Sequence, residues 1–192
     1  MLTKLEEALA EAVSFFELHD VSYMLIGAMA GNAWGIERTT TDVDFTVALP
    51  EAASEGFIKD ALERFQPRRR PTGDILGGAG ILLLWASNGV GIDFIIATTP
   101  FEEAALERAQ PLSLAGRRVC VISPEDLIVL KLIAGRGKDL IDIQAVVRRQ
   151  RATIDRRYLD PLVAEFSAAL DAPRIQEHYD EAWALAADIE EP

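Results

Sequence analysis

The stretch Leu25-Ile26-Gly27-Ala28-Met29-Ala30-Gly31-Asn32-Ala33-Trp34-Gly35-Ile36-Glu37-Arg38-Thr39-Thr40-Thr41-Asp42-Val43-Asp44-Phe45-Thr46-Val47 reads as strand, glycine turn, short helix, loop and second strand. Tyr23 to Ile26 is an apolar run suited to a buried strand, and Gly27 permits a tight turn. The segment after it can open a helix whose free N–H groups face an anion. Asp42-Val43-Asp44 carries the other half of the pattern. Side chains alternate across a strand, so Asp42 and Asp44 project from one face while Val43 points into the core. A solvated surface strand would explain two acids, but Val43, Phe45 and Val47 ask for a buried face. Two like charges this close are costly unless a cation lies between them, and hard carboxylates beside a phosphate cradle suit Mg²⁺.

A third carboxylate appears in Gly91-Ile92-Asp93-Phe94-Ile95-Ile96, an apolar strand-like run in which an unpaired charge would be expensive, so that a metal or a charged partner is expected nearby. Ile81 to Trp85 is the preceding strand, and Ser87-Asn88-Gly89 between the two contains an Asn-Gly turn. Asp93 is thereby placed on the second arm of a hairpin, able to lie beside the strand of Asp42 and Asp44.

Thr3 with Glu6 forms a capping-box pattern, and Leu5, Leu9, Val13 and Phe16 recur at helical spacing, predicting an amphipathic helix over 3–18. A second helix is expected over 52–65, a loop over 67–80, a short helix over 101–108 and a short edge strand over 117–122. From Ser123 the pattern becomes helical: Ser123 can cap, Pro124 fits the first helical position, and a helix runs to about Ala134. Gly135-Arg136-Gly137 separates it from a helix over 138–149, and two more follow over 155–170 and 173–187. The expected organisation is a core over 1–122 and a helical part over 123–192, packed together as one compact unit. The fold class is α/β, a mixed sheet flanked by helices.

With 192 residues, 49% hydrophobic and 26% charged, the chain can bury a sizeable core. Nineteen Lys and Arg against 31 Asp and Glu give a net charge of −12, which argues against a protein that coats nucleic acid through overall positive charge. The basic residues are uneven: Arg68, Arg69 and Arg70 form one run, and Arg148, Arg149, Arg151, Arg156 and Arg157 another, read either as a solvated helix end or as a contact to an RNA acceptor. The single cysteine, Cys120, excludes an internal disulfide and is expected to be buried in Val119-Cys120-Val121-Ile122. His19 and His178 lack the Cys or Asp cluster of a zinc site. No run is long enough to span a membrane, and a cytoplasmic location is expected.

Gly27-Ala28, then Arg38-Thr39-Thr40-Thr41-Asp42-Val43-Asp44, then Asp93 on a later strand, resembles the nucleotidyltransferase superfamily typified by DNA polymerase beta. Pro124-Glu125-Asp126-Leu127-Ile128-Val129-Leu130-Lys131-Leu132 followed by Lys138-Asp139-Leu140-Ile141-Asp142 is similar to the branch containing AbiEii-type and MenT-type toxins of toxin–antitoxin systems. Where the superfamily usually has Gly or Ser, this chain has Ala28, so a hydroxyl contact to phosphate is absent. The resemblance implies Mg²⁺-dependent transfer of a nucleoside monophosphate from a nucleoside triphosphate to an acceptor hydroxyl. Asp42, Asp44 and Asp93 would be the catalytic and metal-holding groups. Gly27, Ala28, Arg38, Thr41, Lys131 and Lys138 would contact the nucleotide. The bland readings are a solvated loop for Arg38 to Thr41, snorkelling for Lys131 and a helix pair for Lys138 with Asp142. The acceptors implied are tRNA ends or proteins, with an antitoxin as partner; a small-molecule adenylyltransferase and an inert nucleotide-binding partner protein are the alternatives.

Overall fold

The computed structural model describes residues 1–69 and 80–187. Its elements in order are α1 (Lys4–Leu18), β1 (Tyr23–Ile26), α2 (Gly27–Ala33), β2 (Asp42–Val47), α3 (Glu51–Arg64), β3 (Gln66–Pro67), β4 (Ile81–Trp85), β5 (Gly91–Ile96), α4 (Pro100–Glu107), β6 (Gln110–Leu114), β7 (Arg117–Val121), α5 (Pro124–Ala134), α6 (Gly137–Gln150), α7 (Arg156–Ala169) and α8 (Arg174–Ala187). Residues 70–79 of the expected loop lie outside the described residues, and Arg70 with them. The chain divides into two compact units, Met1–Ala30 with Thr39–Ile122 and Gly31–Arg38 with Ser123–Pro192. Residues 31–38 thus group with the helical part, which the sequence does not announce.

The first unit holds a mixed seven-stranded sheet in the order β3-β4-β5-β2-β1-β7-β6. β2 runs antiparallel to β1 and parallel to β5, and β4 with β5 forms the expected hairpin. Its turn closes as Gly89, at φ 80, donates its N–H to the Ala86 carbonyl. The period-two pattern of these strands sorts their side chains. Val43, Phe45 and Val47, Leu82 and Leu84, and Ile92, Phe94 and Ile96 are all buried on one face. Helix α1 lays Leu9, Val13 and Phe16 among them. Thr3 and Glu6 form the capping box reciprocally, satisfying two of the helix's free amides. Phe16 stands 4.7 Å from Phe94 and 5.0 Å from Phe45, centroid to centroid, in an aromatic cluster whose pairs each add about 0.5–1.5 kcal/mol beyond their buried area.

Two expectations are corrected on this sheet. The strand over 117–122 is not an edge: β7 lies between β1 and β6, and β6 is the edge. Pro111 sits in β6 without a backbone N–H to give, which an edge strand tolerates. Ala115 and Gly116, both at positive φ (53° and 73°), make the two-residue turn into β7. Cys120 is half-buried rather than buried, because it points to the opposite face of β7 from the buried Val119 and Val121.

The second unit is built on α5 to α8. Ser123 caps α5 by accepting the Asp126 amide, and Gly135 ends it in the left-handed region at φ 61. Leu127, Ile128 and Leu132 of α5, Ile143, Val146 and Val147 of α6, Leu159 and Val163 of α7, and Ile175, Tyr179 and Ala182 of α8 are buried. Buried Asp126 is satisfied by the Tyr158 hydroxyl at 2.7 Å and by Ser123 Oγ at 2.8 Å.

Candidate active site

The carboxylates of Asp42, Asp44 and Asp93 converge because of register. In the β2–β5 ladder Asp44 pairs directly with Asp93, and Asp42 with Gly91. Alternation within β2 brings Asp42 to the same face as Asp44. One oxygen from each residue lies within 4.8 Å of the others, and all three side chains are half-buried. Three like charges at this spacing repel in a partly desolvated place, so the arrangement favours a cation among them. The donors are all hard carboxylate oxygens, the kind that Mg²⁺ takes.

The sheet also explains Gly27. It follows β1, whose Ile26 pairs with Asp44, and it adopts φ 69. A Cβ on Gly27 would come 2.1 Å from Asp44 Oδ2, so the absent side chain is the space the carboxylate occupies. Gly27 and Ala28 are half-buried at the start of α2, and Gly27 stands against Asp44. Thr40 places its hydroxyl 2.8 Å from Asp42 Oδ1, whereas Thr41 is exposed.

A residue that sequence reasoning does not connect with the site is Arg68, just beyond β3. Its guanidinium ion-pairs with Asp93 Oδ1 and lies over the Trp85 ring, 5.3 Å from the centroid. In the sequence it is one arginine in a run of three. No local pattern marks it, because its approach to Asp93 depends on the pairing of β3 with β4 and of β4 with β5.

Arg38, Lys131 and Lys138 belong to the second unit. Asn32 brackets Arg38 there, giving its Nδ2 proton to the Arg38 carbonyl (2.8 Å) and accepting the Arg38 amide (3.2 Å). Asp142 receives Lys131 Nζ at 2.5 Å and Arg38 Nη1 at 3.2 Å. Lys131 is therefore buried in an ion pair rather than snorkelling, only 6% exposed. Asp139 is bonded by the Arg136 Nε at 2.6 Å and Nη2 at 3.1 Å, with Lys131 Nζ 3.9 Å away. Burial pulls the Asp139 carboxyl up, but the hydrogen bonds and charge of Arg136, with Lys131 adding its own charge, outweigh it and hold the group below its ordinary 3.8. Lys138, read from the sequence as a nucleotide contact with a helix pair to Asp142 as the bland alternative, lines an open cavity of about 490 Å³ with Asp142, Arg38, Arg148, Arg149, Glu37 and Ile141. Gly135, in the left-handed region, breaks the helix between Lys131 and Lys138.

The mixed seven-stranded sheet with its flanking helices is a nucleotidyltransferase-like α/β fold. The chain belongs to the family described as nucleotidyl transferase of unknown function (DUF2204), whose profile matches residues 5–179. Solved structures agree on the fold. The antibiotic-resistance factor ANT(2'')-Ia is 14% identical at a TM-score of 0.57, over 91% of this chain and 97% of that one. The same protein in complex with adenylyl-2''-tobramycin is 15% identical at 0.55, over 86% and 98%. An antigenic nucleotidyltransferase-like protein from Paracoccidioides brasiliensis is 13% identical at 0.53, over 93% of each chain. A comparison with curated proteins gave no match.

Proposed function

We propose that this nucleotidyltransferase moves a nucleoside monophosphate from a nucleoside triphosphate to an acceptor hydroxyl, and that Asp42, Asp44 and Asp93 are its catalytic carboxylates. The observation that carries this reading is the convergence of the three acids within 4.8 Å beside Gly27. Those carboxylates would hold Mg²⁺, which when bound supplies charge neutralisation at the reacting phosphate. The backbone of Gly27, which adjoins Asp44, and of Ala28 would face the triphosphate. The acceptor oxygen attacks the α-phosphorus, the bond from that phosphorus to the β-phosphate bridging oxygen breaks, and pyrophosphate leaves. Asp93 would bind the second metal of a two-metal site or take the proton that the acceptor hydroxyl loses.

Arg38 and Lys138 would add positive charge toward the nucleotide. Lys131 would act at one remove, by holding Asp142 and through it Arg38. The resemblance to AbiEii and MenT toxins makes a tRNA end the first acceptor to try and implies an antitoxin. The exposed Arg148 and Arg149 on the cavity of the helical unit support a phosphate-bearing acceptor, against the net charge of −12. A small-molecule hydroxyl, of the kind adenylylated in the ANT(2'')-Ia complex, is the second reading.

The experiment is incubation of the purified protein with Mg²⁺ and each α-labelled nucleoside triphosphate, with and without cellular RNA, protein and small-molecule extracts, beside Asp44→Ala. Label is expected on RNA with the native protein and nowhere with the variant, while both melt at similar temperatures. Label on a small molecule moves the acceptor to the second reading. Full transfer by a folded Asp44→Ala protein removes the carboxylates from the chemistry.

A further inference from the structure

Arg68, Leu83, Asp93, Asp44 and Ile26 lie in one row across the sheet. The Arg68 amide donates to the Leu83 carbonyl at 2.8 Å, Leu83 pairs with Asp93, Asp93 with Asp44, and Asp44 with Ile26. The backbone therefore fixes the arginine at the level of the carboxylates, two strands away from Asp93. Its side chain crosses Gly91, where a Cβ would come 2.8 Å from Arg68 Nη1 and 3.5 Å from Asp42 Cβ. Trp85, the register partner of Gly91, supplies the platform for the guanidinium. A glycine clearing, an aromatic surface and a carboxylate acceptor together make a built seat for one cation, and the Arg68 side chain is only 22% exposed in it.

We propose that Arg68 is a resident counter-cation of the carboxylate triad, neutralising Asp93 when no metal is bound and competing with the divalent ion for it. The inference rests on the reading of the triad as a metal site. Asp93 cannot give the same oxygen fully to both partners, so metal binding at the triad carries the cost of breaking the ion pair. The arriving triphosphate offers the displaced guanidinium new oxygens, for which a planar fork of donors is well matched. Metal binding is thereby coupled to nucleotide binding: the bare protein holds the metal weakly, and the two bind together more tightly.

The test is Mn²⁺ binding to the nucleotide-free protein, followed by the loss of the free-ion electron paramagnetic resonance signal, for the native chain, Arg68→Gln, Arg68→Lys, Trp85→Leu and Asp44→Asn. Arg68→Gln is expected to bind Mn²⁺ about tenfold more tightly than the native chain, within the range by which groups around a metal site shift its affinity. Arg68→Lys, which keeps the charge, stays near native. Trp85→Leu, which loosens the seat without touching the arginine, shifts in the same direction as Arg68→Gln and serves where that variant does not fold. Asp44→Asn abolishes binding. Unchanged or weaker binding in folded Arg68→Gln or Trp85→Leu, with binding still lost in Asp44→Asn, overturns the role of Arg68 and leaves the metal site standing. Binding that survives in Asp44→Asn overturns both.

Discussion

Gly27 shows how closely one residue can be tied to the site. Its φ of 69 is a conformation that costs an L side chain about 1 kcal/mol, and its missing Cβ is where Asp44 Oδ2 sits. Gly27→Ala is therefore expected to do two separable things. Thermal unfolding should show a loss of about 1 kcal/mol from the backbone term. Transfer activity should fall about 100-fold, because Asp44 is pushed from its place and small displacements at a reacting centre are expensive. A variant that loses the stability but keeps native turnover would show that Asp44 need not stand where it does. Ala28 carries no such constraint and offers only its backbone.

Among the elements, α5 and α6 depend on charges that the helical pattern hides. Lys131 interrupts an apolar face, and the buried Asp139 and Asp142 of α6 receive it and its neighbours Arg136 and Arg38. Breaking such a pair leaves a buried charge uncompensated. The depressed Asp139 carboxyl makes this pH-dependent. Since its folded value lies below the ordinary 3.8, the ionised group adds stability that is fully present above 3.8 and is lost as pH falls through the folded value. Urea unfolding of native and Asp139→Asn proteins across an acid series is expected to show a constant gap at neutral pH that closes only below that range. A gap of equal size at all acidities would mean that the carboxylate charge is not what Asp139 contributes.

For the whole molecule, ligand binding should register as stability. A nucleoside triphosphate with Mg²⁺ at 100 times its dissociation constant is expected to raise the unfolding free energy by about 2.7 kcal/mol, as any ligand of the native state does. Calorimetry should show that shift in the native protein and its absence in Asp44→Asn; an equal shift in both would place the nucleotide away from the triad. Features with a local cause can be read from neighbouring residues alone. The period of two in Asp42-Val43-Asp44, the Asn-Gly turn before Asp93, the capping box at Thr3 and the Ser123-Pro124 helix start each arise from a few adjacent residues. The interior place of β7, the opposition of Asp93 to Asp44, the reach of Arg68 onto Asp93 and the pairing of Lys131 with Asp142 emerge only in the folded chain. Strand order and register are set by packing across the whole sheet, and a buried charge finds its partner through packed elements, so no window of neighbouring residues contains either answer.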